Sequence, residues 1–221
     1  MYIRDLIEQN FGNIPTAQQR DVFALLETFL TSIKDDDCFI LKGYAGTGKT
    51  TLISALVKVL PKIKLKSVLL APTGRAAKVI SNYSGKKAFT IHKKIYRKKV
   101  AASPEMNFVL GDNIMENTLF IVDEASMISD QVHDYSRQSL LQDLISYVYN
   151  GKNCKLMLVG DTAQLPPVGS AISPALNKQF VSDEFRLSVF TYELTDVVRQ
   201  EKESGILFNA TQLRELVRKG E

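Results

Sequence analysis

The chain has 221 residues, 45% hydrophobic and 24% charged, enough for one α/β domain with a full core and a small insert. No apolar run approaches the ~18 residues of a membrane span, two cysteines are too few for a disulfide framework or a cysteine-built zinc site, and the N-terminal stretch carries acids rather than a signal-type apolar core, so a cytoplasmic protein is expected. The net charge of +4 is segregated: residues 38–104 hold 15 Lys and Arg and no acid, leaving 13 basic residues among all 24 acids elsewhere, which points to a polyanionic partner.

In chain order, Thr16-Ala17-Gln18-Gln19 reads as a capping box, with Thr16 as N-cap and Gln19 three residues on. The helix it opens, residues 17–32, carries Val22, Leu25, Leu26, Phe29 and Ile33 at helical spacing. Cys38-Phe39-Ile40-Leu41 is a short apolar run before a glycine, which suits a buried parallel strand; both Cys38 and Cys154 are expected as small core residues. A Gly-rich loop follows, then a helix over residues 50–60 that Pro61 stops.

The alternation continues with a strand at 67–71, a helix at 74–81, a strand at 118–122, a helix at 139–150 ending at Gly151, and a strand at 155–159. Apolar, unalternating strands separated by helices predict an α/β fold with a parallel sheet covered on both faces. Residues 96–117 fit that rhythm poorly and are expected to form a small inserted subdomain of a single domain spanning 1–221.

Gly43-Tyr44-Ala45-Gly46-Thr47-Gly48-Lys49-Thr50 matches the phosphate-binding loop G-x-x-x-x-G-K-[ST] and lies between a strand and a helix, as its chemistry requires. Its glycines let backbone N–H groups wrap a phosphate beside the positive end of the new helix. Lys49 can then reach the β- and γ-phosphates of ATP, and the Thr50 hydroxyl can ligate Mg²⁺. Asp123 and Glu124 end the strand Phe120-Ile121-Val122; in an open parallel sheet that end is where ligands bind. There Asp123 would hold Mg²⁺ through water and Glu124 would polarise the attacking water. Gly160-Asp161-Thr162-Ala163-Gln164-Leu165-Pro166-Pro167-Val168 ends another strand in a polar turn whose Gln164 can hydrogen-bond a γ-phosphate.

Together these motifs resemble superfamily 1 helicases of the RecD-like, 5′→3′ branch, over roughly residues 16–212. Thr16-x-x-Gln19 resembles the adenine-reading motif, Gly43 to Thr50 motif I, Ala71-Pro72-Thr73-Gly74-Arg75-Ala76-Ala77 motif Ia, Thr90-Ile91-His92 the short motif after it, Asp123 to Ser126 motif II, Gly160 to Val168 motif III and Leu194 to Gln200 motif IV. The resemblance implies a RecA-like P-loop NTPase, the first motor domain of a helicase, using ATP and Mg²⁺ on single-stranded DNA. It implies that Gln19, Gly43, Ala45, Gly46, Thr47, Gly48, Lys49, Thr50 and Thr51 hold the nucleotide, and that Thr50 and Asp123 hold the metal.

By the same resemblance Lys49, Glu124, Gln164 and Arg199 are catalytic, with Arg199 an arginine finger in cis and Gln164 coupling the γ-phosphate to the DNA groove. Pro72, Thr73, Gly74, Arg75, His92, Lys93 and Tyr96 would line that groove. The run Lys86, Lys87, His92, Lys93, Lys94, Arg97, Lys98 and Lys99, with Phe89 and Tyr96 interleaved, combines phosphate neutralisation with aromatic stacking. By the resemblance, the insert after His92 would be the subdomain bearing a strand-separating pin, here a short one.

A helicase of this type needs a second RecA-like domain, and no later motif follows, so the chain is expected to be a fragment or to need a partner, and to hydrolyse ATP feebly alone. A guanine reader is not present, since Asn177-Lys178-Gln179 is followed by Phe180 where an Asp belongs, and a small-molecule kinase would lack the motif at 160–168. Two further readings stay open from sequence: a nucleotide-gated nucleic-acid-binding module without turnover, and an RNA motor.

Overall fold

Among the described residues six strands form one wholly parallel sheet, and the alternation of their side chains explains its helices. The computed structural model describes residues 2–98, 108–132, 138–164, 166–167 and 172–197. Helices α1 (Ile3–Phe11) and α2 (Ala17–Thr31) lead into β1 (Asp37–Gly43), α3 (Lys49–Val59), β2 (Lys66–Ala71), α4 (Gly74–Ser84) and β3 (Ala88–Thr90). Next come α5 (Ile91–Ile95), the short strands β4 (Tyr96–Lys98) and β5 (Phe108–Leu110), β6 (Glu116–Val122), α6 (Leu140–Tyr149), β7 (Lys152–Gly160), α7 (Lys178–Phe185) and β8 (Ser188–Leu194). The sheet runs β3-β2-β6-β7-β1-β8, with β1 between β7 and β8 in parallel register.

Successive residues of a strand face opposite sides, and here each side has its own core. Phe39, Leu41, Ile121, Met157 and Val159 pack with residues of α1, α2 and α3. Cys38, Ile40, Phe120, Leu156 and Leu158 pack on the other face with α6 and Val181 of α7. Strands buried on both faces need no polar alternation, which is why they read as unbroken apolar runs. The expected α/β architecture, a parallel sheet with helices on both faces, is therefore the observed one. Residues 96–98 and 108–110 stand apart as a two-stranded antiparallel sheet.

The capping box forms: the Gln19 N–H donates to Thr16 Oγ1 at 3.2 Å, and the Thr16 N–H donates to Gln19 Oε1 at 2.9 Å. Two local expectations differ. Ile33 is 97% exposed rather than part of the apolar stripe, because α2 ends at Thr31 and Ser32 turns the chain to an extended path. Pro61 does not end the helical course either. α3 stops at Val59, but a 3-10 turn, Leu60–Ile63, continues it with the proline at its start, where a missing N–H costs nothing. Both cysteines are buried and free; burial pushes the Cys38 thiol up to about 12, which makes it an inert core side chain.

At the amino edge of the sheet, Asp37 is fully buried and paired with Lys155 at 3.1 Å, whose ammonium also lies 5.3 Å from the Phe29 ring and donates to the Lys34 carbonyl. Removing the cation strands a buried carboxylate, whereas the exposed Lys152–Glu116 pair at 3.9 Å is open to water. Lys155→Met should lower unfolding free energy by about 3 kcal/mol or more, and Lys152→Met by less than about 1 kcal/mol. Urea titration of both variants checks the contrast; equal effects would contradict it.

Candidate active site

The parallel sheet collects its chemistry at the carboxyl edge, because every strand points there and each following helix starts there. The loop after β1 enters α3 at Gly48, whose φ is +90° and which offers no side chain to cap the helix. The first N–H groups of α3 are thus left for an anion, with the positive end of the helix behind them. Gly46 also takes a positive φ, +84°, which an L side chain resists. At Gly48 the positive φ strains any side chain, and a Cβ there would also come within 2.6 Å of Gln19 Nε2.

Lys49 lies along this loop, its ammonium donating to the carbonyls of Gly43 at 2.6 Å and Tyr44 at 2.8 Å. Thr50 and Thr51 occupy the first turn of α3, half-buried, and Ala45 is exposed at the loop tip. Thr47 is buried; its hydroxyl donates to the Tyr44 carbonyl and its own carbonyl accepts from Gln19 Nε2 at 3.0 Å. Gln19 is only 2% exposed, with its amide shared between the capping box and the loop. It sits against the nucleotide loop and braces it through the Thr47 carbonyl.

Asp123 follows β6, two strands from β1, and its N–H donates to the Leu70 carbonyl at 3.0 Å. Burial, then the neighbouring Glu124 charge, push its carboxyl up to about 6, while a hydrogen bond from the Glu124 backbone and the Lys49 charge act the other way. Glu124 adopts a left-handed backbone, φ +55°, as the chain turns into the short 3-10 helix Ala125–Met127. Ser126 then donates to Gln164 Oε1 at 3.2 Å, joining this turn to the one after β7. Asp161, buried at the end of β7, holds that second turn by accepting from the Ala163 N–H at 2.8 Å. Sequence reasoning did not single out Ser126, although its place in the Asp-Glu-Ala-Ser run was the available signal.

Among the described residues no three of His, Cys, Asp and Glu cluster as a metal cage. The donor set that does exist, a hydroxyl at Thr50 and a carboxylate at Asp123 beside an uncapped phosphate cradle, fits Mg²⁺ shared with a nucleotide. Arg199 lies outside the described residues.

The second sequence-predicted surface lies along the same edge past β2 and β3. Pro72 is half-buried, while Thr73, Gly74, Arg75, His92 and Lys93 are exposed. Thr73 and Thr90 cap α4 and α5, accepting from the N–H groups of Ala76 and Lys93. Tyr96 differs: its hydroxyl donates to Asp143 Oδ2 at 2.6 Å, and burial followed by that acid raises its pKa, so the phenol is engaged inward while its ring lies 5.6 Å from that of His92. Lys86 is also turned aside, donating to Ser67 on β2, which separates it from His92 and Lys93.

Comparison with known proteins agrees with this geometry. A family model described as an AAA domain matches residues 16–219, so the chain belongs to that family. Within it, the chain carries a RecA-like domain of the superfamily 1, RecD-like kind. It is 31% identical over 171 residues to the ATP-dependent RecD2 DNA helicase of Deinococcus radiodurans, covering 76% of this chain and 20% of that protein. With the ATP-dependent DNA helicase dda of Enterobacteria phage T4 it shares 29% over 204 residues, covering 90% and 42%. In structure, it aligns to Bacteroides sp Pif1, crystallised with ADP-AlF4, with a TM-score of 0.53 at 22% identity over 88% of this chain and 45% of that one. The chain thus spans less than half the length of these relatives.

The raised Asp123 carboxyl carries a stability signature. The fold prefers its protonated form, so that contribution is intact below the unfolded value near 3.8 and is lost as pH rises through about 6. Asp123→Asn should therefore stabilise the protein above pH 6 in metal-free buffer, by on the order of 2 kcal/mol, and the gain should vanish toward pH 4. Thermal melts of both forms in chelator across that range check the sign; a gain confined to acid pH would refute it.

Proposed function

We propose that this chain is the ATP-hydrolysing motor domain of a DNA helicase, moving along single-stranded DNA in the 5′→3′ direction. The observation that carries the proposal is the convergence at one sheet edge of the phosphate loop after β1, the Asp123-Glu124 turn after β6 and the Gln164 turn after β7, the last two joined by the Ser126–Gln164 bond. DNA as the track is supported by the two relatives named DNA helicases, and the direction by the RecD-like placement.

In this reading the loop N–H groups and the start of α3 receive the phosphates, and Lys49 exchanges the carbonyls of Gly43 and Tyr44 for the β- and γ-phosphates. Thr50 and Asp123 would hold Mg²⁺, which neutralises charge gathering on the phosphate oxygens when bound. Glu124 accepts a proton from the attacking water. Gln164 senses the γ-phosphate and, through Ser126, links it to the acidic turn; Arg199 steadies the spreading charge from the same chain. Gln19 reads the adenine by giving up its bond to the Thr47 carbonyl.

The DNA-binding surface is Pro72, Thr73, Gly74, Arg75, His92 and Lys93, drawn from the acid-free block. The two-stranded sheet of β4 and β5 is the inserted element beside it, and a second RecA-like domain is the partner that would complete the grip.

Lys49→Ala should abolish ATP binding in a nucleotide titration, whereas Glu124→Gln should bind normally yet lose roughly 100-fold or more in turnover. Undiminished binding by the first variant would remove the phosphate-loop assignment. Affinity for a single-stranded oligonucleotide should fall tenfold or more between about 50 and 200 mM salt through counterion release; a flat response would take the basic block out of the mechanism.

A further inference from the structure

The acid-free block of residues 38–104 does not gather in one place, because the sheet divides it between its two ends. Strands β2 and β3 are parallel, so the turns that follow them carry Arg75, His92 and Lys93 at the carboxyl edge, while the segments that lead into them lie at the amino edge. Those segments are the end of α3 with its 3-10 turn, bearing Lys58, Lys62, Lys64 and Lys66, and the loop from α4 to β3, bearing Lys86 and Lys87. Two bonds hold them together. Lys86 Nζ donates to Ser67 Oγ at 2.6 Å, and Ser54 Oγ donates to the Tyr83 carbonyl at 3.1 Å, which turns Lys58, one turn further along α3, toward the end of α4.

Five of these six lysines are exposed, and none forms an ion pair among the described residues. Glu116 opens the neighbouring strand β6, but its carboxylate lies 3.9 Å from Lys152 on the side of β7. Lys86 is half-buried, and burial lowers its pKa, so this cation is held partly out of water without an acid against it. All six are lysines. Arginine's planar fork is the better match for carboxylates, whereas lysine's point charge suits backbone phosphates contacted without regard to sequence.

Helix α4 joins the two ends. It runs from Gly74 at the carboxyl edge to Ser84 at the amino edge, about 16 Å, and Arg75, Lys78, Asn82 and Tyr83 are exposed along it. Tyr83, 62% exposed, offers a ring for base stacking where the helix meets the lysines. A duplex, stiff over ~150 base pairs, cannot turn along this helix from one edge to the other, but a single strand can.

We infer that the outer face of α4 and the lysine corner at the amino edge form a second contact for single-stranded nucleic acid, taking the backbone of the strand that leaves the groove at Thr73 to Arg75. For that end of the path the inference rests on the DNA-binding surface proposed above; the lysine corner lies at the opposite edge from the nucleotide loop.

Fluorescence anisotropy of the full chain with oligothymidines of about 8 and about 20 nucleotides tests this. The triple variant Lys62→Ala, Lys64→Ala, Lys87→Ala should weaken the longer strand by about tenfold or more at ~50 mM salt and reduce its salt slope by about 2, while the shorter strand moves less than about twofold. Tyr83→Ala should weaken the longer strand alone, by about fivefold. A control of equal charge loss, Lys34→Ala, Lys152→Ala, Lys178→Ala, should move neither length by more than about twofold.

Unchanged affinity for the longer strand in the triple variant, an equal loss at both lengths, the same loss in the control, or a loss seen only on a fork bearing a duplex would each overturn the inference. Arg75→Ala reports on the groove and should weaken both lengths. If it weakens neither while the lysine variant still weakens the longer strand, the groove reading fails and the lysine corner stands. Binding is read without hydrolysis, so a chain that lacks turnover is judged by the same outcomes.

Discussion

A parallel sheet cannot be built from hairpins, and that one constraint organises this molecule. Every neighbouring strand must be reached by a crossover, so β1, β2, β6 and β7 all release the chain at the same edge. A helix beginning there presents unpaired N–H groups, and a loop there is free of the sheet's hydrogen bonds. The phosphate cradle, the acidic pair, Gln164 and the exposed basic residues after β2 and β3 share that edge because the topology leaves them nowhere else to gather.

The sheet also divides the interior. Alternate residues of each strand feed two separate cores, with α1, α2 and α3 on one side and α6 and α7 on the other. The nucleotide loop belongs to the first side through α3, and the Gln164 turn lies close to the second through β7. Contact between them runs over the edge, by Ser126 and Gln164.

Much of this was legible in the chain because short-range physics wrote it. The capping box at Thr16 and Gln19, the glycine loop and the buried strands each follow from a local rule, and the structure has them all. What was missed depends on distant partners. β8, with its Val189, Phe190, Thr191 and Tyr192, carries the β-branched and aromatic signal of a strand, yet it is an edge whose place comes from α2 and β1. α1 likewise shows apolar residues at helical spacing in Leu6, Ile7 and Phe11. The inward commitment of Tyr96 could not be read, because Asp143 lies 47 residues away. Ile33 continued a stripe on paper that Ser32 ends in space.

The left-handed backbone at Glu124 has a consequence for how this domain can change. Glycine and asparagine suit that conformation better than glutamate, which pays a local steric penalty there. Neither can accept a proton from water. Random drift judged by folding alone would thus erode the acid first, since its replacement relieves the chain. On the role proposed for Glu124, variants that lose the chemistry at this position should be at ease as proteins, abundant and intact while idle.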